Sequence, residues 1–283
     1  MGILFEYKEQ DNNFAVHHSR GVHPQAEDFP MHAHRRHELF YFINGRGSYY
    51  VEGNEYPLTP GCIMIMQMGE THRPNIALDY PYERLAIHFT PDLLNQIDPR
   101  HMLGEAITSR PLGQKNQYRP EILNEDLVRA CVNAISAGGR VPWYTDEWKH
   151  ELVLAHLHTL LFEIRRCFNL PIEEKNEAEN KNVVHQTISY INDHLTENFN
   201  LDMLADMAFI NKSYLNDQFK RITGSTIWKY TTVKRLFLAR QYINAGMPAT
   251  EAATACGWDD YSAFYRKYKT QFGISPNKDK IKQ

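Results

Sequence analysis

Two regimes of hydrophobic patterning divide the chain. Over residues 1 to 95, short runs rich in Phe, Tyr, Ile and Val are broken by Asn44–Gly45, Glu52–Gly53 and Pro60–Gly61, the mark of strands joined by tight turns. An all-β barrel or sandwich is therefore expected. After Pro120 the apolar period lengthens to three and four. Residues 120–137 carry Ile122, Leu123, Leu127, Val128 and Val132, and residues 143–168 carry Trp148, Leu152, Ala155, Leu157, Leu160, Leu161 and Ile164; each run predicts an amphipathic helix. The charged stretch PIEEKNEAENKN, 171–182, separates apolar-periodic helices and is expected to be a linker.

The last hundred residues carry one pattern twice, in LADMAFINKSYLNDQFKRITG (204–224) and AATACGWDDYSAFYRKYKTQFG (252–273). Each copy reads as a short apolar helix, a turn, an N-capping residue (Asn211, then Asp260) and a second helix ending at glycine. Leu215 with Phe219, and Phe264 with Tyr268, sit four apart, so those faces pack inward. The second helices align at a constant offset, Ser213 over Ser262 and Gly224 over Gly273, while the first helices fall one residue out of step, so the second turn is expected to be one residue longer. Between the copies, Ile227 to Asn244 predicts a helix of about 27 Å, near the ~34 Å between successive major grooves on one face of DNA. Two helix-turn-helix units in one chain predict a sequence-specific DNA binder.

FKRITG, KRLFLARQYI (234–243), Gly257–Trp258 and FGISP (272–276) resemble the AraC/XylS family of bacterial transcription regulators. That resemblance covers 183–276 and implies paired recognition helices in adjacent major grooves of promoter DNA. It implies base-edge positions at Ser213, Asn216 and Asp217 in the first recognition helix, with Lys220 and Arg221 toward phosphates. In the second it implies Ser262, Tyr265 and Arg266 facing outward and Lys269 near the backbone. Arg266 is the stronger specificity candidate, because Arg to guanine is the commonest base contact; Asp217 departs from the basic or long polar residue usual there and could accept only from cytosine. Charge follows the same division: from 183 onward there are 13 Lys and Arg against 9 Asp and Glu, whereas residues 1–182 hold 18 against 25. Only the C-terminal part suits phosphates.

The expected organisation is α+β in two domains. It comprises a β-barrel of cupin or jelly-roll type at 1–95 with packing helices at 96–170, a linker at 171–182, and an all-α tandem helix-turn-helix domain at 183–283. The 96–170 helices are expected either to cover the first domain or, as the family resemblance implies, to form a homodimer interface, and RNA polymerase is a further candidate partner. Cys62, Cys131, Cys167 and Cys256 are scattered and suggest no disulfide framework. The N-terminus MGILFEYKEQ has no signal-peptide form and no segment has the apolar length of a membrane span, so a cytoplasmic protein is expected.

HAHRRHELFYFINGRG (32–47) has the HxHxxxE form of the first cupin motif, and PGCIMIMQMGETH (60–72) resembles the second, with Gln67 where proline is usual. His32, His34 and Glu38 share parity, so on one extended strand they would face one way, with His72 approaching from a neighbour. Three imidazoles and a carboxylate suit a divalent transition metal such as zinc, nickel or iron, and equally a metal-free polar pocket. His37 has the opposite parity and is expected outward. Phe40, Phe42 and Tyr50 are expected inward, Tyr50 as a ligand contact. The overall expectation is a non-enzymatic transcription regulator responding to a small-molecule effector, a sugar or derivative in the first instance. The competing class is a metal-dependent cupin enzyme with an accessory DNA-binding tail.

Overall fold

The computed structural model describes residues 2–9, 13–25, 28–170 and 183–279. The linker expected at 171–182 lies outside the described residues. The chain divides into two compact units, 1–176 and 177–283.

The first unit is built on β1 (Gly2–Lys8), β2 (Phe14–Gly21), β3 (His37–Asn44), β4 (Gly47–Val51), β5 (Asn54–Pro57), β6 (Ile63–Met66), β7 (His72–Ile76), β8 (Tyr82–Phe89) and β9 (Gln117–Tyr118). These form a six-stranded sheet in the order β1-β2-β8-β3-β6-β9 and a three-stranded sheet in the order β5-β4-β7. The strands therefore make two sheets, and among the described residues no closed barrel forms.

The large sheet is covered on both faces, which is why β3, HELFYFIN, reads as an almost unbroken apolar run. Leu39 and Tyr41 join Ile63, Ile65, Leu85 and Ile87 in one core against the helices. Phe40 and Phe42, one residue out of phase, join Met64, Met66 and Tyr82 with Tyr49 and Val51 of the small sheet. A one-residue slip would exchange these two cores, so register is strongly specified.

Helices α1 (Pro91–Ile97), α2 (Glu105–Thr108), α3 (Glu125–Gly138) and α4 (Asp146–Phe168) cover the outer face. Expected as helical from 143, α4 begins at Asp146 because the Thr145 side chain accepts from Trp148 N and fixes the start there. Its buried face is Val153, Leu157, Leu160, Leu161 and Ile164. Trp148 and Ala155, counted with the core by period alone, point outward, with Trp148 65 % exposed.

The second unit contains α5 (Val183–Asp193), α6 (Leu201–Met207), α7 (Lys212–Thr223), α8 (Ile227–Asn244), α9 (Ala249–Ala255), α10 (Tyr261–Phe272) and a short 3-10 helix, Pro276–Lys278. Asn211 and Asp260 cap α7 and α10, and Gly224 and Gly273 end them in the left-handed region at φ 73° and 70°, a conformation that favours glycine. Four residues join α6 to α7 and five join α9 to α10, so the second turn is the longer by one. Each helix-turn-helix has its own core. Ile227 and Tyr230 of α8 complete the first, and Leu236, Ala239 and Ile243 complete the second. The connecting helix is thus a wall of both modules rather than a spacer between them.

Candidate functional site

His32, His34, Glu38 and His72 converge in the first unit, with their ligand atoms all within 4.8 Å of one another. The convergence does not come from one strand. β3 starts at His37, and His32 and His34 precede it in an irregular segment. There His32 exchanges backbone hydrogen bonds with His72, and His34 folds back on Arg36. Equal parity along one extended strand is therefore the wrong geometric reason for a correct grouping.

The tautomers are fixed by the backbone. Nδ1 of His32 lies 2.9 Å from the Pro30 carbonyl, Nδ1 of His34 2.8 Å from that of Arg36, and Nδ1 of His72 2.8 Å from that of Glu70. A carbonyl can only accept, so each Nδ1 carries hydrogen and each neutral ring presents a bare Nε2. Two of these Nε2 atoms lie on Glu38 Oε2, His34 at 2.9 Å and His72 at 3.1 Å. A lone pair against a carboxylate oxygen is unfavourable, and either a proton on Nε2 or a cation between the groups relieves it. Nδ1–H committed to a carbonyl is also how metal-ligating histidines are held.

His88 enters as a fifth member, its Nε2 3.3 Å from Glu38 Oε2. The cupin motifs did not point to it. The signal was the alternation Tyr82, Arg84, Ala86, His88 on β8, but which face it lined depended on Glu38 pairing with His88. Burial pushes the Glu38 carboxyl up, yet the imidazoles of His88, His34 and His72 hold it well below its ordinary range. Burial pushes His32 down to about 3 and His88 down to about 4. At His72 burial also acts downward, but the hydrogen bond and charge of Glu38 outweigh it and the net shift is upward.

Behind the cluster lies a second buried carboxylate with another role. Glu70 accepts from Arg110 Nη1 and Nη2 at 2.7 Å each, from Gly113 N and Gln67 N, and from Asn116 Nδ2. Thr71 donates through both N and Oγ1 to Glu52. The residues flanking His72 on its N-terminal side are therefore locked, and so is the carbonyl that orients its ring.

Tyr50, expected inward, lies on the outer face of the small sheet. It pairs with Arg73 and Glu55 across the strands and carries the Arg73 guanidinium 5.5 Å from its ring. Parity counted from β3 does not carry across the Gly45–Gly47 turn, where the chain changes sheets. Tyr49 faces inward instead, 4.8 Å from Phe40 and stacked at 6.1 Å on His72. His37 does point away from the Glu38 face, but it is buried, and its Nδ1 accepts from Met68 N.

In the second unit Ser213, Asp217, Lys220 and Arg221 are exposed on α7, and Ser262, Arg266 and Lys269 are exposed on α10. Tyr265 is half-buried against Tyr261. Asn216 is also half-buried, and its Oδ1 accepts from Ile227 N at the start of α8, so part of its hydrogen-bonding capacity is spent within the fold. Arg221 reaches Gln218, and Lys212 pairs with Asp202 at 2.9 Å.

Residues 20–120 match the AraC-like ligand binding domain family, and residues 204–280 match a helix-turn-helix domain family. Among curated relatives, the HTH-type transcriptional activator RhaS of Shigella sonnei is 24 % identical over 269 residues, covering 89 % of this chain and 87 % of the relative. RhaS of Escherichia coli O1:K1 / APEC is 25 % identical over 264 residues, with the same coverage. Among solved structures, ToxT from Vibrio cholerae O395 aligns at 12 % identity and a TM-score of 0.37 over 94 % of this chain and 96 % of its own. The DNA-binding domain of AdpA in complex with a target DNA aligns at 23 % and 0.32 over 34 % of this chain and 86 % of its own. With a ligand-binding segment ahead of a helix-turn-helix segment, and relatives matched over most of their length, the chain belongs to the AraC family and is a ligand-responsive, DNA-binding transcription regulator.

Proposed function

We propose that the interior lined by His32, His34, Glu38 and His72 is the effector site, and that these four residues hold a divalent transition metal through which the effector is sensed. The observation behind this reading is the arrangement of three backbone-oriented imidazoles around one buried carboxylate. Zinc, nickel or iron(II) suits that donor set, and a bound metal supplies a fixed positive charge able to polarise an effector oxygen. The chain's own contribution is to hold the rings in one tautomer, to keep Glu38 ionised and to bury Glu38 and His72 while His32 stays exposed.

A metal-free polar pocket is the second reading. It is favoured by the upward shift at His72, since a protonated His72 satisfies both Glu70 O and Glu38. Metal analysis of purified protein, with thermal unfolding under added zinc, nickel or iron(II), decides between them. Stoichiometric metal that is lost in His32→Ala supports the first reading, and its absence across all three metals supports the second.

On this proposal the effector, a sugar or derivative, alters how Ser213, Asp217, Lys220 and Arg221 on α7 and Ser262, Tyr265, Arg266 and Lys269 on α10 engage promoter DNA, with Asn216 in a reduced role. Dimerisation through α4 and contact with RNA polymerase complete the scheme, acting in the cytoplasm. The scheme requires no catalysis, and substrate turnover by the metal-loaded protein would return the cupin-enzyme alternative.

A further inference from the structure

Among the described residues, the inner face of β8 carries buried polar atoms that make no hydrogen bond. Tyr82, Arg84, Ala86 and His88 alternate onto it: Tyr82 packs with Phe42 of that core, and His88 reaches Glu38. Arg84 lies between them, paired with Phe42 of β3 on one side and Ser19 of β2 on the other, its guanidinium 5.9 Å from the Phe40 ring. Among the described residues that guanidinium makes no hydrogen bond or ion pair, and its Nε is buried. The hydroxyls of Tyr82 and Ser19 are buried with no hydrogen-bond partner among the described residues either, in residues only 0 % and 6 % exposed.

Three unpartnered polar groups thus share one patch of one face. Buried polar groups are normally paired, and the contrast with Arg110 is direct, since that side chain closes two short bonds onto Glu70. A guanidinium flanked by two hydroxyls is a donor set for an oxyanion, and for a planar carboxylate above all. The His–Glu cluster begins roughly 13 Å along β8, at His88. The two ends share a wall, because Tyr49 stacks on His72 and meets Phe40, over which Arg84 lies.

We infer that the effector is a small polyhydroxy carboxylate, a sugar acid. Its carboxylate lies on Arg84, beside the Ser19 and Tyr82 hydroxyls, and its hydroxyls point along β8 toward His88 and Glu38. This rests on the reading that the interior is the effector site. A neutral sugar would leave the guanidinium unpaired and bind more weakly, because a site built around a charged partner rejects the analogue that lacks it.

The full-length protein is titrated calorimetrically, and by thermal unfolding, with matched pairs at constant ionic strength: D-galacturonate and D-galactose, D-gluconate and D-glucose, L-arabinonate and L-arabinose. At least one acid should bind, with its neutral partner at least tenfold weaker. Arg84→Gln should weaken that acid at least tenfold and Arg84→Lys should recover part of the loss. Ligand-free Arg84→Met should unfold at or above the wild-type temperature, since an unpaired charge does not hold the fold. Equal affinity for acids and neutral sugars, no binding by any acid, or undiminished binding by Arg84→Gln overturns the inference. So does an Arg84→Met variant as destabilised as Arg110→Met. Promoter response separates the two layers of the argument. If Glu38→Gln and Arg84→Gln both respond normally, the interior is not the effector site; if only Arg84→Gln does, the anion assignment alone fails.

Discussion

Two buried carboxylates, Glu38 within the histidine pocket and Glu70 two residues from His72, show how partners, not burial, decide a residue's role. Glu70 is saturated by five donors including a bidentate guanidinium, while Glu38 faces imidazoles whose Nδ1 atoms are committed elsewhere. Removing Arg110 strands a buried charge, so Arg110→Ala should cost about 3–5 kcal/mol in urea unfolding. A loss below about 1 kcal/mol would show the pair to be dispensable. His32→Ala tests the other carboxylate's surroundings: apo stability should change little, but stabilisation by added metal, about 2.7 kcal/mol at a hundredfold excess over Kd, should vanish. An undiminished metal-dependent rise in Tm would remove His32 from the site. At this scale the sequence showed four of five cluster members, because the cupin motifs keep them close together. It missed His88 and mistook Tyr50 for Tyr49, since facing across a sheet depends on pairing and turn geometry that local parity does not contain.

At the scale of elements, the helices and their ends were legible because capping and periodicity are local. The capping residues Asn211 and Asp260, the glycines at 224 and 273, and the span 227–244 all appear where the residues place them. α4 was harder to read because it carries two apolar stripes, and period alone cannot say which is inside. The outward stripe runs Trp148, Leu152, Ala155, Thr159, Phe162, Arg166, alternating steps of four and three, with Trp148 65 % and Phe162 56 % exposed. That spacing is the seam of a coiled coil, so the dimer proposed above should part when charge enters it. Trp148→Glu with Phe162→Glu should convert a sedimenting dimer to monomer with circular dichroism unchanged, and a dimer persisting at micromolar concentration would place the interface elsewhere. On α10, exposed Arg266 belongs to a face free of core duties. Arg266→Ala should lose about 1–3 kcal/mol at the operator and relax preference at one base pair, whereas equal losses on operator and random DNA would make it a phosphate contact.

For the molecule as a whole, the opposed charge of the two halves and the duplicated motif made the division of labour readable, but not what sets the spacing of the two DNA-reading modules. In the structure Arg235 on α8 bridges the two modules, and we propose that it helps to set that spacing. Its Nε donates to Leu195 O at 2.8 Å and its Nη2 to Glu197 O at 2.6 Å in the first module, while Nη1 donates to Gly257 O at 2.9 Å in the turn of the second. Gly257 has φ of 73°, and a Cβ there would come within 2.9 Å of the guanidinium carbon, so the turn is shaped around this side chain. Because phosphate contacts act through each module separately while an operator must be met by both in register, loosening the clamp should affect the two kinds of binding unequally. Arg235→Ala should lower stability by about 2 kcal/mol, as charged hydrogen bonds to carbonyls are lost. It should weaken operator binding at least tenfold, with random-sequence affinity and its dependence on salt nearly unchanged. Gel-shift titrations of both DNAs at two salt concentrations measure this, and parallel loss on both would mean that Arg235 supports the fold without setting the spacing.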